Sequence, residues 1–187
     1  MNNCYTQTTI PMPNIDYKLI WPNEATDTTV GTTIYKIYPN QLGLWDEQTT
    51  KLLLSCGLTP TMIRIFRWLP NSNSKWHIDG TITAVSNFAI NWILDGAGEI
   101  EWGATIVLPK PNDNDKHSAF GVLPCRRGDD TLVDCRFSGH GCLVNTTIPH
   151  RVVNKNDIHR IAVSIHFGNM LTYGQVAEKL TAAGLVI

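Results

Sequence analysis

From residue 62 onward this chain is cut into short β-prone runs, and each is closed by Gly, Asn or Pro. Residues 62–68 (MIRIFRW) stop at Leu69-Pro70-Asn71-Ser72-Asn73-Ser74. Residues 76–79 begin the next extended piece, with Gly80 behind them, and 85–94 (VSNFAINWIL) end at Asp95-Gly96-Ala97-Gly98. Further runs follow at 99–102, 105–108, 142–147, 150–153 and 161–167 (IAVSIHF). Many short strands at this spacing, divided by turn residues, predict a β-sandwich or barrel. No internal repeat is visible, and Gly96-Ala97-Gly98 lacks the following helix that a dinucleotide site needs.

The flanks read differently. Residues 1–30 are polar, carry Pro11, Pro13 and Pro22, and read as an irregular arm with room for an edge strand. Residues 32–38 (TTIYKIY) alternate as a strand does, and Pro39-Asn40 ends them. Residues 46–56 (DEQTTKLLLSC) place acids in a first turn, an apolar face of Leu52, Leu53 and Cys56, and Gly57 just past the end, which predicts a helix. Thr172 is predicted to cap a second helix over 173–183, with Gly184 after it. Residues 109–130 are rich in Pro, Asn, Asp, Lys and Gly and read as a long surface excursion, with 119–123 free to pair briefly. The 187 residues are expected to form one domain: arm and helix over 1–57, β core over about 62–167, C-terminal helix over 172–184.

A hydrophobic content of 43% excludes wholesale disorder. The net charge of −1, from 15 Lys+Arg against 16 Asp+Glu, gives no basic excess and argues against a nucleic-acid partner. No apolar run is long enough to span a bilayer, so no membrane partner is expected. The N-terminus lacks the positive start and apolar stretch of a secretory signal, and the expected compartment is cytoplasmic. Cys4, Cys56, Cys125, Cys135 and Cys142 form no C-x-x-C pair and are expected to be free thiols; their spacing does not suit zinc.

One tripeptide carries chemistry. On an extended strand His77 and Asp79 share a face while Ile78 turns away. Joined by the distant His150, they make a 2-His-1-carboxylate facial triad, whose open positions suit non-haem Fe(II). Gly80 lets the chain turn away from such a site, and Pro149 marks where the strand of His150 begins. Arg160 opens the apolar run 161–167. A permanently charged guanidinium there needs an anionic partner, and a dicarboxylate would supply one through two parallel hydrogen bonds. His-x-Asp alone is common in solvated turns, His150 alone reads as a core histidine, and Arg160 alone as a strand-edge charge. Their conjunction in a β-rich order carries the functional reading.

The order His-x-Asp, distant His, then Arg resembles the Fe(II)/2-oxoglutarate-dependent dioxygenases. The likeness covers about 62–167 and is densest in Lys75-Trp76-His77-Ile78-Asp79-Gly80, Ala89-Ile90-Asn91-Trp92-Ile93-Leu94 and Asn145-Thr146-Thr147-Ile148-Pro149-His150-Arg151-Val152-Val153-Asn154. These stretches look most like small prolyl and aspartyl/asparaginyl hydroxylases, of the type found in phage and marine microbes. Prolyl-4-hydroxylases usually carry Lys at the position of Arg160, and aspartyl β-hydroxylases lack the carboxylate that Asp79 supplies. The resemblance implies an all-β double-stranded β-helix, or jelly roll, with a few flanking helices. It implies Fe(II) on His77, Asp79 and His150, 2-oxoglutarate chelating the metal with its far carboxylate on Arg160, and O2 as the third reactant. Succinate and CO2 would be released as the substrate is hydroxylated. The family often places a hydroxyl two residues after the arginine; here Ala162 stands there, and Ser164 is the next residue on that face.

Other residues admit two readings. Asn91, in phase with Asn87 and Ala89, reads either as a group reaching cosubstrate or substrate or as a buried amide bonded to backbone. Arg64 and Arg67 point to opposite faces, so one of them can face the pocket, although the favoured reading makes both peripheral. Trp76, Trp92 and Trp102 read as walls of the site or, by preference, as core; Arg126-Arg127 as a contact for an anionic substrate or, by preference, as a solvated loop; and Asn154 as a turn initiator. His117, His140, His159 and His166 show no partner pattern. The expected substrate is a peptidyl side chain, an amino acid or a small metabolite. Two other functions fit the fold: a non-catalytic jelly-roll binding or structural module, and a cupin-like metalloenzyme not using 2-oxoglutarate, against which Arg160 counts.

Overall fold

The computed structural model describes residues 4–15, 28–29, 32–37, 47–74, 76–79, 88–96, 98–103, 106–107, 122–124, 126–127, 132–136, 140–168 and 170–187. In chain order the strands are β1 (Tyr5–Gln7), β2 (Thr28–Thr29), β3 (Thr32–Ile37), β4 (Pro60–Trp68), β5 (Ser72–Asn73), β6 (His77–Asp79), β7 (Phe88–Asp95) and β8 (Glu99–Gly103). They continue as β9 (Ile106–Val107), β10 (Val122–Pro124), β11 (Arg126–Arg127), β12 (Leu132–Arg136), β13 (Cys142–Asn145), β14 (His150–Asn154) and β15 (Arg160–Phe167). Among the described residues two helices flank them, α1 (Glu47–Ser55) and α2 (Tyr173–Ala182).

The strands form a jelly roll. A seven-stranded major sheet runs β1-β13-β7-β15-β4-β3-β2, and a minor sheet runs β10-β6-β14-β8-β12, with β5 also on β14. All of these pairings are antiparallel. The major sheet presents two different faces. One carries Ile63, Ile65, Ile90, Trp92, Val163 and Ile165 and packs on Leu53 of α1 and Val176 and Leu180 of α2. The other faces the minor sheet: Ala89, Cys142 and Val144 cluster with Ile100 and Trp102 of β8. Because side chains alternate along a strand, helix packing claims the odd positions of β15 and leaves Arg160, Ala162, Ser164 and His166 to the interior.

Several sequence-based expectations move. The sheet extends beyond 62–167: β1 is an edge strand on β13, β3 pairs with β4, and Ile10 and Ile15 of the arm are buried in the helix-side core. Within the 109–130 excursion β10 pairs close to the expected 119–123, and β11 pairs where a solvated loop is the favoured reading, because a two-residue ladder leaves no periodicity. The C-terminal helix is capped as expected: Thr172 Oγ1 accepts from Gln175 N at 3.3 Å, and Gln175 Oε1 accepts from Thr172 N at 2.9 Å. The turn expected at Gly80, residues 85–87 of the expected strand, Cys125, His117 and most of 104–139 lie outside the described residues. No helix among the described residues is long and apolar enough to cross a membrane.

Candidate metal centre

Register brings the triad together. His77 of β6 and His150 of β14 are directly opposite Cα partners, which puts their side chains on one face. Asp79, two residues after His77, shares that face. The rings of His77 and His150 lie 4.4 Å apart, centroid to centroid. Asp79 Oδ1 is 3.6 Å from His77 Nε2, and Oδ2 is 3.8 Å from His150 Nε2. One ligand atom from each residue falls within 4.8 Å of the other two. These separations are short enough for all three residues to hold one ion.

The surroundings fix the ligands. Ile148 O can only accept, so the 2.9 Å contact makes His150 Nδ1 the donor and leaves the Nε2 lone pair toward Asp79. Asp79 N donates to Thr146 O at 3.0 Å, tying β6 to the turn between β13 and β14. Asn145 holds that turn, its Oδ1 accepting from Thr147 N and Oγ1, while its carbonyl accepts from Trp102 Nε1. Trp102, opposite His150 on β8, walls the site with its ring centroid 6.4 Å from that imidazole.

The electrostatics suit a cation. Burial pushes the Asp79 carboxyl upward, but His150, His77, His166 and Arg64 outweigh it and hold the pKa below the ordinary carboxylate value. Burial, with the field of His77, lowers His150 to about 4, so its imidazole is neutral and able to ligate at pH 7. Among the described residues, this is the one His/Cys/Asp/Glu group close enough to hold a metal. Two imidazoles and a carboxylate fit a divalent first-row ion.

Arg160 is buried at the start of β15, opposite Trp68 of β4. Its side chain crosses the α-carbon of Gly98, with the Val153 carbonyl of β14 alongside. A β-carbon at 98 would collide with Arg160 Cδ and Nε, so only glycine leaves that path open. Next along the strand, Ala162 lies opposite Phe66 of β4 and Ile93 of β7. Ser164 follows, opposite Arg64 of β4 and Asn91 of β7. The interior is therefore layered: arginine, then apolar, then polar.

Two interior residues stand differently from the favoured sequence reading. Arg64, read as peripheral, shares the inner face with Ser164, and its charge acts on both Asp79 and His166. His166, assigned no role, is buried, and its Nε2 lies 3.2 Å from Ser164 Oγ. Their even spacing with Ser164 and its partner was the available signal. Arg67, on the other face, contacts His159 at 3.1 Å. Trp92 belongs to the helix-side core, and Trp76 lies under the Arg151 guanidinium, away from the triad. Asn154 holds its turn and also clips it to the end of β4, donating to Ile158 O and Leu69 O.

No protein-family model and no curated protein matches the chain. Among solved structures it is similar to a prolyl-4-hydroxylase from Pseudomonas putida, at TM-score 0.54 and 15% identity over 91% of this chain and 95% of that one. It is also similar to vicilin from hazelnut, Corylus avellana, at TM-score 0.42 and 11% identity over 78% of this chain and 32% of that one. An oxalate decarboxylase from Bacillus subtilis gives TM-score 0.44 and 10% identity over 79% of this chain and 28% of that one. The chain thus spans about a third of the vicilin and decarboxylase chains and nearly all of the hydroxylase. At these identities the likeness concerns the fold alone.

Proposed function

We propose that this protein is an Fe(II)- and 2-oxoglutarate-dependent dioxygenase that hydroxylates a peptidyl side chain or a small metabolite. The observation that carries the reading is the layered interior between the triad and Arg160. His77, Asp79 and His150 would hold the iron. Arg160 would fork onto the far carboxylate of 2-oxoglutarate, and Gly98 keeps its path clear. The apolar layer of Ala162, Phe66 and Ile93 matches the methylene carbons between the two ends of such a ligand. Ala162 in place of a hydroxyl fits this arrangement, since a small apolar side chain leaves room for them. Asn91 and Ser164 line the layer beyond and would contact the metal-binding end of the cosubstrate.

Iron with 2-oxoglutarate and O2 supplies the oxidising chemistry, releasing succinate and CO2. The chain's own residues position and exclude. His150, fixed through Ile148 O, presents Nε2; Trp102 shields it from water; Asp79, its pKa held below the ordinary carboxylate value, stays ionised. Purified protein given Fe(II), ascorbate, 2-oxoglutarate and O2 should form succinate, and His77→Ala and Asp79→Ala should not. Failure of the Mn(II)-loaded protein to bind 2-oxoglutarate would overturn the reading. Metal-dependent turnover that needs no 2-oxoglutarate and survives Arg160→Ala would place the protein with cupin-like metalloenzymes instead.

A further inference from the structure

The interior holds more polar chemistry than a metal and a dicarboxylate use. Asn91, Ser164, Arg64 and Lys36 are directly opposite one another on β7, β15, β4 and β3, forming one row across the inner face of the major sheet. The row looks at the triad: Asn91 lies opposite Cys142 of β13, which packs with Trp102, and Trp102 lies opposite His150. Arg64 and Lys36 set like charges side by side, an arrangement that costs energy in a sheet and raises the local positive potential. His166, on the same face, is only 5% exposed, and its Nδ1 has no hydrogen-bond partner among the described residues. Asn91 Oδ1 is in the same position. Buried polar atoms of this kind are normally satisfied, and a ligand is one way to satisfy them.

We propose that Arg64 and His166 form a second anion subsite that receives a carboxylate of the substrate next to the metal, at the edge of the layer where Ser164 and Asn91 meet the cosubstrate. The substrate is then a small carboxylic acid or free amino acid rather than a neutral side chain within a peptide. This deepens the oxygenase reading and rests on it. Arg160 stands at the opposite end of β15 from His166, ~20 Å along the strand at about 3.3 Å per residue. One arginine therefore serves the far end of the cosubstrate and the other serves the metal end of the pocket, where Asp79 feels its charge. Arg64 supplies a planar fork for the carboxylate, His166 Nδ1 a further polar contact, and Ser164 fixes the imidazole plane. Both are specificity-determining residues.

The test uses Mn(II)-loaded protein and calorimetric titration, with and without saturating 2-oxoglutarate. The probes are the free L-amino acids and acetate through pentanoate, each beside its primary amide. At least one acid should bind about tenfold more tightly than its amide, the difference a charge-assisted pair makes. Arg64→Met should bring acid and amide within about twofold while leaving 2-oxoglutarate affinity unchanged, whereas Arg160→Met should weaken 2-oxoglutarate. Arg64→Lys should retain part of the preference and, with its near-UV circular dichroism, separates lost recognition from lost folding. His166→Phe should weaken the acid and spare the metal. Equal binding of acids and amides, or no binding of any acid, overturns the proposal. So does Arg64→Met weakening 2-oxoglutarate as much as Arg160→Met. If wild type binds no 2-oxoglutarate, the oxygenase reading fails separately, because the acid preference is also measured without it.

Discussion

Gly98→Ala isolates the cosubstrate anchor without touching a charged residue. The added methyl would occupy the space of Arg160 Cδ and Nε, and the Val153 carbonyl at 3.2 Å blocks the remaining side. That carbonyl belongs to the backbone of β14 and cannot give way, so the arginine must swing. Overpacking of this kind costs about 1–3 kcal/mol of stability. A displaced guanidinium also loses its charge-assisted hydrogen bonds to a carboxylate, worth about 1.5–3 kcal/mol. At about 1.4 kcal/mol per decade, that is roughly a 10- to 150-fold rise in the Kd for 2-oxoglutarate. Calorimetry on Mn(II)-loaded protein reads the change, and Mn(II) affinity should stay put because β6 and β14 hold the triad independently of residue 98. Combined with Arg160→Met, the glycine change should add almost nothing, since both act through one group. A folded Gly98→Ala protein that binds 2-oxoglutarate like wild type would refute the assignment of Arg160.

Three further outcomes are expected. His77→Ala and Asp79→Ala should lose Mn(II) binding by calorimetry while keeping a wild-type far-UV spectrum, as only the site is emptied of ligands. Metal-free protein should lose stability as pH falls from about 6.5, where an unfolded histidine begins to charge, toward the folded values of about 4 for His150 and about 3 for His166. Both folded pKa values are depressed, so the unfolded state binds more protons throughout that window. Each group then contributes a slope of up to about 1.4 kcal/mol per pH unit. Urea midpoints in EDTA that do not move between pH 7.5 and 5 would contradict the burial of both imidazoles. Thr172→Ala should cost about 1 kcal/mol in the same assay, because it removes the side-chain oxygen that accepts from Gln175 N while leaving the backbone bond to Gln175 Oε1.

The elements most legible in the sequence are those whose local signals agree with their surroundings. The Thr172 cap, the acids and leucines of α1, and the turn-bounded run of β4 each state their own structure. β15 was legible as a strand but not as a two-faced one. Val163 and Ile165 are buried against helices, and Ala162, Ser164 and His166 against the other sheet, so polarity does not alternate cleanly along it. The triad could be read because His77 and Asp79 are local to one strand. The pairing of His77 with His150, and of Ser164 with Arg64, exists only in the register of distant strands. The sequence alone therefore does not separate Arg64 from Arg67; the pairing of β15 with β4 does. Two-residue ladders such as β5 and β11 are too short to leave any period at all.

The division of labour within the major sheet has an evolutionary consequence. Residues that pack against α1 and α2 and residues that line the interior alternate along the same strands, so each strand answers to two unrelated selective pressures at once. Drift on the interior face can change what is bound without loosening the packed face, and repacking on the helix face can proceed without disturbing the ligands. A chain organised in this way can lose nearly all residue-level likeness to proteins of its own shape.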